Sequence, residues 1–92
     1  MAITVRIPTP LRRVTDGQDR VNADGATLKE IIDSMEGQYP GIKERICDPD
    51  GNLRNFVNVY VNGEDVRFMD GIDSATGDGD EVSIVPAVAG GL

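Results

Sequence analysis

Only one stretch of this chain carries a helix-length apolar stripe, and strand-type alternation flanks it on both sides. Thr27-Leu28-Lys29-Glu30 has the form of a capping box, with a hydroxyl that accepts from the N–H three residues on and a Glu that reaches back. Leu28, Ile31, Ile32 and Met35 then recur at i, i+3, i+4 and i+7, one face of about three helical turns. Gly37 offers a left-handed C-cap ahead of the break at Tyr39-Pro40-Gly41. A single stripe needs a single sheet face to cover it, so the helix must lie across one side of one sheet.

The strands of that sheet are read from period-two alternation. Ile3, Val5 and Ile7 alternate with Ala2, Thr4 and Arg6, and Pro8 and Pro10 close the run. Asp16-Gly17 marks a turn, and Asp19 to Ala23, centred on Val21, returns as a short second strand. Past the helix, Ile42 and Ile46 share a face and predict a second short helical piece before the turn Asp48-Pro49-Asp50-Gly51. Phe56 to Val61 is the densest β-former stretch, with Val57, Val59 and Val61 facing one way and Phe56, Asn58 and Tyr60 the other. Asn62-Gly63 predicts a hairpin that sends Glu64 to Phe68 back antiparallel, and Glu81 to Val85 alternates as a last strand. The order ββαββ plus a final strand is an α+β, β-grasp (ubiquitin-like) arrangement, a mixed sheet with one main helix packed across one face. Its 92 residues make one domain. Residues 1–85 are read as that domain and 86–92 as a flexible C-terminal tail ending Gly-Gly-Leu.

Composition excludes several kinds of chemistry. Without histidine there is no Ser-His-Asp or Cys-His arrangement and no imidazole ligand for zinc. The lone Cys47 allows no internal disulfide and reads as a small core residue rather than a nucleophile. The acidic segments starting at Asp48 and Asp78 lack the Glu that a calcium loop needs at its twelfth position, where Val59 and Ala89 stand instead. Asp78 and Asp80 are read as capping the approach to the last strand. There is no phosphate-cradling Gly-Lys loop. Sixteen acids against nine bases leave a charge of −7, which disfavours nucleic acid and favours a basic protein surface as partner. Arg12, Arg13 and Arg67 read as solvated charges, with Arg67 also placed to pair with an acid on a partner. No apolar run approaches the roughly 18 residues of a membrane span and no leader pattern opens the sequence, so a cytoplasmic protein with no membrane partner is expected.

The C-terminal segment is the one whose composition a purely structural role leaves unexplained. Val85, Pro86, Ala87, Val88 and Ala89 carry no charge, which suits insertion into an apolar groove better than solvation. Gly90 and Gly91, lacking Cβ atoms, can pass a narrow channel and bring a carboxylate into another protein's active site. Docking is assigned to the sheet face opposite the helix, where Thr4, Arg6, Phe56, Asn58, Tyr60, Ser83 and Val85 should project. Phe56, Tyr60 and Val85 together would be costly to leave wet, although Phe56 or Tyr60 singly can equally pack under a loop.

The ending Asp78-Gly79-Asp80-Glu81-Val82-Ser83-Ile84-Val85-Pro86-Ala87-Val88-Ala89-Gly90-Gly91 resembles that of the ubiquitin-like sulfur carriers of the MoaD and ThiS family. Ile7-Pro8-Thr9, Leu11-Arg12, Thr27-Leu28, Asn58 to Asn62 and Glu64 to Phe68 extend the resemblance over nearly the whole chain, most closely toward the CysO-like branch that serves cysteine biosynthesis. The resemblance implies a protein co-substrate rather than an enzyme, binding no cofactor itself and monomeric when free. An E1-like adenylyltransferase/sulfurtransferase would use ATP to adenylate Gly91, and sulfide would displace AMP to leave a thiocarboxylate. A PLP-dependent cysteine synthase would accept the sulfur, and a JAMM-type zinc protease would release the amino acid. The sequence departs from the family pattern at Leu92, which ties Gly91 into an amide and must be removed first if it is native. The alternatives are a molybdopterin synthase small subunit, a ubiquitin-like protein modifier, and a β-grasp interaction module with an idle tail.

Overall fold

The computed structural model describes residues 2–86. Five strands, β1 (Ala2–Arg6), β2 (Arg20–Asp24), β3 (Val57–Val61), β4 (Glu64–Asp65) and β5 (Glu81–Pro86), form one mixed sheet in the order β2-β1-β5-β3-β4. The last strand in sequence thus lies at the centre, parallel to β1 and antiparallel to β3. One main helix, α1 (Leu28–Gln38), covers one face, and a short α2 (Ile42–Ile46) follows it. This is the β-grasp, ubiquitin-like arrangement that the alternation and the single stripe predict.

The pattern of the sequence becomes the core directly. Ile3, Val5, Val21, Ala23, Val57, Val59, Val61, Val82 and Ile84 are buried on the helix side of the sheet, and Leu28, Ile31, Ile32 and Met35 of α1 close over them. Burying each such side chain contributes about 1.5–3 kcal/mol, so the stripe outweighs any intrinsic helix preference of these residues. The cap forms as expected, with Thr27 Oγ1 accepting from the Glu30 N–H at 3.3 Å. Glu30 Oε1 accepts from the Ala26 N–H at 3.0 Å, one residue earlier than the reciprocal bond of a regular capping box. At the hairpin, Asn62 and Gly63 both take positive φ, 52° and 87°, as a type I′ turn requires.

Other expectations are corrected. Gly37 is not a C-cap; the helix runs through it to Gln38. Pro40 sets the end, because it bars the preceding residue from helical angles, and Tyr39 sits at φ −132°, ψ 83°. The left-handed residue is Gly41, at φ 103°, at the entrance to α2. The strand expected from Glu64 to Phe68 stops after Asp65, whose Oδ1 accepts from the Arg67 N–H at 2.8 Å and turns Val66–Phe68 into one 3-10 turn. That bend buries Val66 and leaves Phe68 85% exposed. Two further 3-10 turns, Thr9–Leu11 and Gly71–Asp73, fall where the sequence reading had only loop. Strand ends shift by one residue: β2 is Arg20–Asp24, β3 begins at Val57 rather than Phe56, and β5 continues through Pro86. The tail reading for 87–92 lies outside the described residues.

The junction between the helices rests on Glu36. Its Oε2 accepts from the Gly41 N–H at 3.0 Å and its Oε1 from the Lys43 N–H at 2.9 Å, so donors at the start of α2 have a carboxylate partner. These two backbone donors, Lys43's first and Gly41's second, hold the Glu36 carboxyl below its usual 4.5. A carboxyl depressed by folding stabilises fully above its unfolded pKa and loses that contribution as pH falls through the folded pKa. Glu36→Gln therefore lowers the thermal midpoint at pH 7, and the gap from the parent chain narrows as the pH is taken down towards 3. Melting curves at the two pH values check this; an equal gap at both would remove the charge from the explanation.

Candidate docking face and tail exit

The entrance to β5 is fastened on both sides by the Asp-Gly-Asp segment. Asp78 Oδ1 accepts from the Ala2 N–H at 2.9 Å, next to β1. Asp80 accepts from the Gly77 N–H at 2.7 Å and from Asn62 Nδ2 at 3.0 Å, and Asn62 in turn accepts from the Glu81 N–H at 3.0 Å. Gly79, at φ 86°, makes the turn between the two acids. The Asn62 and Gly77 donors hold the Asp80 carboxyl below its ordinary value. The two acids therefore fasten the approach to the last strand, Asp78 to β1 and Asp80 through Asn62, while the first N–H of β5 is capped by Asn62. No cluster of three or more potential metal ligands exists among the described residues.

The exit of β5 is set by Pro86, which stands opposite Val57 and has no N–H to continue the ladder. Ala87, Val88, Ala89, Gly90, Gly91 and Leu92, the expected insertion segment and reaction site, lie outside the described residues.

The sheet face away from α1 assembles largely as the alternation predicts. Arg6 is in register with Ser83, Ser83 with Tyr60, and Val85 with Asn58, so these residues share one outward surface with Thr4. Val85 is 45% exposed, while Tyr60 and Pro86 are half-buried. Phe56 does not belong to this face as a strand residue. It precedes β3, is 50% exposed, and lines a separate hollow with Glu44, Arg45 and Arg54.

Arg67 has a role that spacing did not reveal. Its guanidinium donates to the carbonyls of Arg54 at 3.1 Å and Val57 at 2.8 Å, and to the Asn58 side chain. It therefore braces the segment entering β3 rather than standing as a solvated charge, although it remains exposed. Cys47 is buried, and desolvation, the largest cause, pushes its thiol above the ordinary value. A thiol held neutral there is a poor nucleophile, in keeping with the core reading.

On this geometry the comparisons with known proteins can be placed. The model of the ThiS family matches residues 5–91. The sulfur carrier protein CysO of Mycobacterium tuberculosis is 55% identical over 93 residues, covering 99% of this chain and 100% of that protein. Small archaeal modifier protein 3 of Haloferax volcanii is 43% identical over 68 residues, 74% of this chain and 73% of that one. Among solved structures, a chain of the Amycolatopsis orientalis BexX/CysO complex superposes with a TM-score of 0.93 at 52% identity, covering 98% of this chain and 100% of that one.

Proposed function

The chain belongs to the ThiS family, and from that premise we propose that it is a sulfur carrier whose Gly91 carboxyl is adenylated and then converted to a thiocarboxylate. The observation that carries this reading is the family match running through to residue 91, with 55% identity to a sulfur carrier along its full length. A carboxylate is a poor electrophile because oxide is a poor leaving group. Attack of its oxygen on the α-phosphorus of ATP releases pyrophosphate and makes AMP the leaving group; sulfide then adds to the acyl carbon and AMP departs. The chain's own part is to deliver Gly91 on an uncharged, narrow segment and to hold its partner through the face around Tyr60, Ser83 and Val85.

ATP in the first step, and PLP and zinc in later ones, act in partner enzymes: an E1-like adenylating enzyme, a PLP-dependent cysteine synthase and a JAMM-type protease. Cysteine is the product this reading favours, because the chain is 55% identical to the sulfur carrier protein CysO. A chain that retains Leu92 holds Gly91 in an amide and stays inactive until trimmed. The intact mass of the untagged protein from its own cells tests this. Loss of Leu92 together with a gain of about 16 Da, oxygen replaced by sulfur, is the expected result. A chain with residue 92 intact and no added sulfur, even under sulfur demand, overturns it.

A second reading, conjugation of Gly91 to lysines of other proteins, is favoured by the 43% identity to a small archaeal modifier protein. Lysine-linked adducts in lysate would distinguish it.

A further inference from the structure

The arginines are distributed unevenly about the sheet. β1 ends at Arg6 and β2 begins at Arg20, and the two residues are direct partners across the antiparallel ladder on the outward face. Like charges placed opposite each other destabilise a sheet, and in a chain with sixteen acids one could have stood at either position. The only acid within ion-pair range of Arg6 among the described residues is Glu81, at 3.9 Å and between half-exposed side chains, a weak contact. Arg12 approaches from the 3-10 turn after β1, its Nε donating to the Ile7 carbonyl at 3.1 Å.

Between these groups and the end of β5 lies an open hollow of about 310 Å³, lined by Arg6, Pro8, Arg12, Ser83 and Val85 and by no described acid. The contrast with the other side of the β5 exit is informative. There Arg45 and Arg54 line their hollow with Glu44, and Arg54 Nε is held by the Glu44 carbonyl at 2.8 Å. Only the β1 side offers cationic charge without a described acid in the lining, next to an exposed apolar residue, Val85.

We propose that this hollow receives an acidic segment of the enzyme that accepts the C-terminal residues, a partner carboxylate lying between Arg6 and Arg12 with an apolar neighbour against Val85 and Pro8. The partner chemistry follows from charge complementarity and from position: the hollow is lined by Ser83 and Val85 of β5, and Val85 is the next-to-last residue of that strand. A chain of charge −7 would otherwise repel an acidic surface, so the patch also orients the approach, bringing the β5 exit round first. The proposal deepens the sulfur-carrier reading by giving its docking face a defined partner chemistry.

Two measurements test it separately from that reading. Amide chemical shifts of the full chain are followed with a hexaglutamate peptide, a hexalysine peptide and inorganic phosphate. Hexaglutamate should move the signals of Arg6, Arg12, Ser83 and Val85, hexalysine should not, and Arg6→Glu should abolish the response. Equal shifts with phosphate, or shifts elsewhere, overturn the proposal. In the second measurement, association of the chain with its own adenylating enzyme should slow about tenfold in Arg6→Glu/Arg20→Glu and lose most of its salt dependence. The milder Arg6→Gln should fall between. If the double variant is adenylated at the parent rate and salt slope, the carrier reading stands and the acidic partner is wrong. If the parent chain is never adenylated but hexaglutamate maps to the hollow, the surface stands and the carrier reading falls.

Discussion

In a chain trimmed to end at residue 91, Gly91→Val lowers thiocarboxylate formation by at least about a hundredfold, the loss that a displacement of about 1 Å at a reacting centre produces. Two effects combine. A β-branched side chain is strained at the positive φ angles open to glycine, and its methyl groups crowd the acyl carbon that sulfide must attack. Gly91→Ala adds one Cβ and should fall between the parent and the valine variant. The fold is a built-in control: every buried core residue among those described lies between Ile3 and Ile84, so both variants should melt with the parent. Mass after incubation with ATP, sulfide and the adenylating enzyme reads the outcome. A valine variant that gains sulfur at the parent rate would show that the chemistry needs neither the small size nor the conformational freedom of residue 91.

Legibility of the fold followed from how local each determinant was. The stripe of Leu28, Ile31, Ile32 and Met35 and the Asn62-Gly63 turn are specified by residues a few positions apart, and both formed as read. The misread segments are those where one polar side chain overrides an apolar pattern. Glu64 to Phe68 alternates like a strand, but the Asp65 carboxylate captures the Arg67 N–H and bends the chain after two residues. Gly37 looked like the end of α1 because it is a glycine; the signal that mattered was Pro40 acting on Tyr39.

The docking surface divided in the same way. Strand parity put Thr4, Arg6, Asn58, Tyr60, Ser83 and Val85 on one face, whereas Phe56 lies one residue before its strand and escapes the parity rule. The bracing by Arg67, the Arg6 to Arg20 pairing and the hollow beside Arg12 depend on which strands become neighbours. Sequence spacing carries no record of that.

The structural counterpart of Gly91 is Gly25, where Gly25→Ala should lower stability by about 2–3 kcal/mol through overpacking. A Cβ built there meets Glu30 Cβ at 2.7 Å, the Ile31 backbone nitrogen at 2.8 Å and the Glu30 backbone carbon at 2.9 Å. Two of these three atoms are helix backbone and cannot rotate aside, so either α1 or the end of the β2 connection must move. Neither moves alone. The Gly25 carbonyl accepts from Thr76 Oγ1 at 3.0 Å, the Ala26 carbonyl from the Thr76 N–H at 2.9 Å, and the Ser74 carbonyl from the Leu28 N–H at 2.9 Å. A shift at Gly25 therefore disturbs the helix cap and the 74–76 segment together. For a domain of this size the loss corresponds to a fall of about 10–20 °C in thermal midpoint. Gly37→Ala is the matched comparison, since a Cβ there meets nothing within 4 Å and replaces a helix-interior glycine, a gain of about 0.5–1 kcal/mol. Thermal melts of the two variants should move in opposite directions. If Gly25→Ala melted within about 2 °C of the parent, a loss of at most about 0.5 kcal/mol in a domain of this size, α1 would have to be packed more loosely over the sheet than the contacts at Glu30 and Ile31 allow.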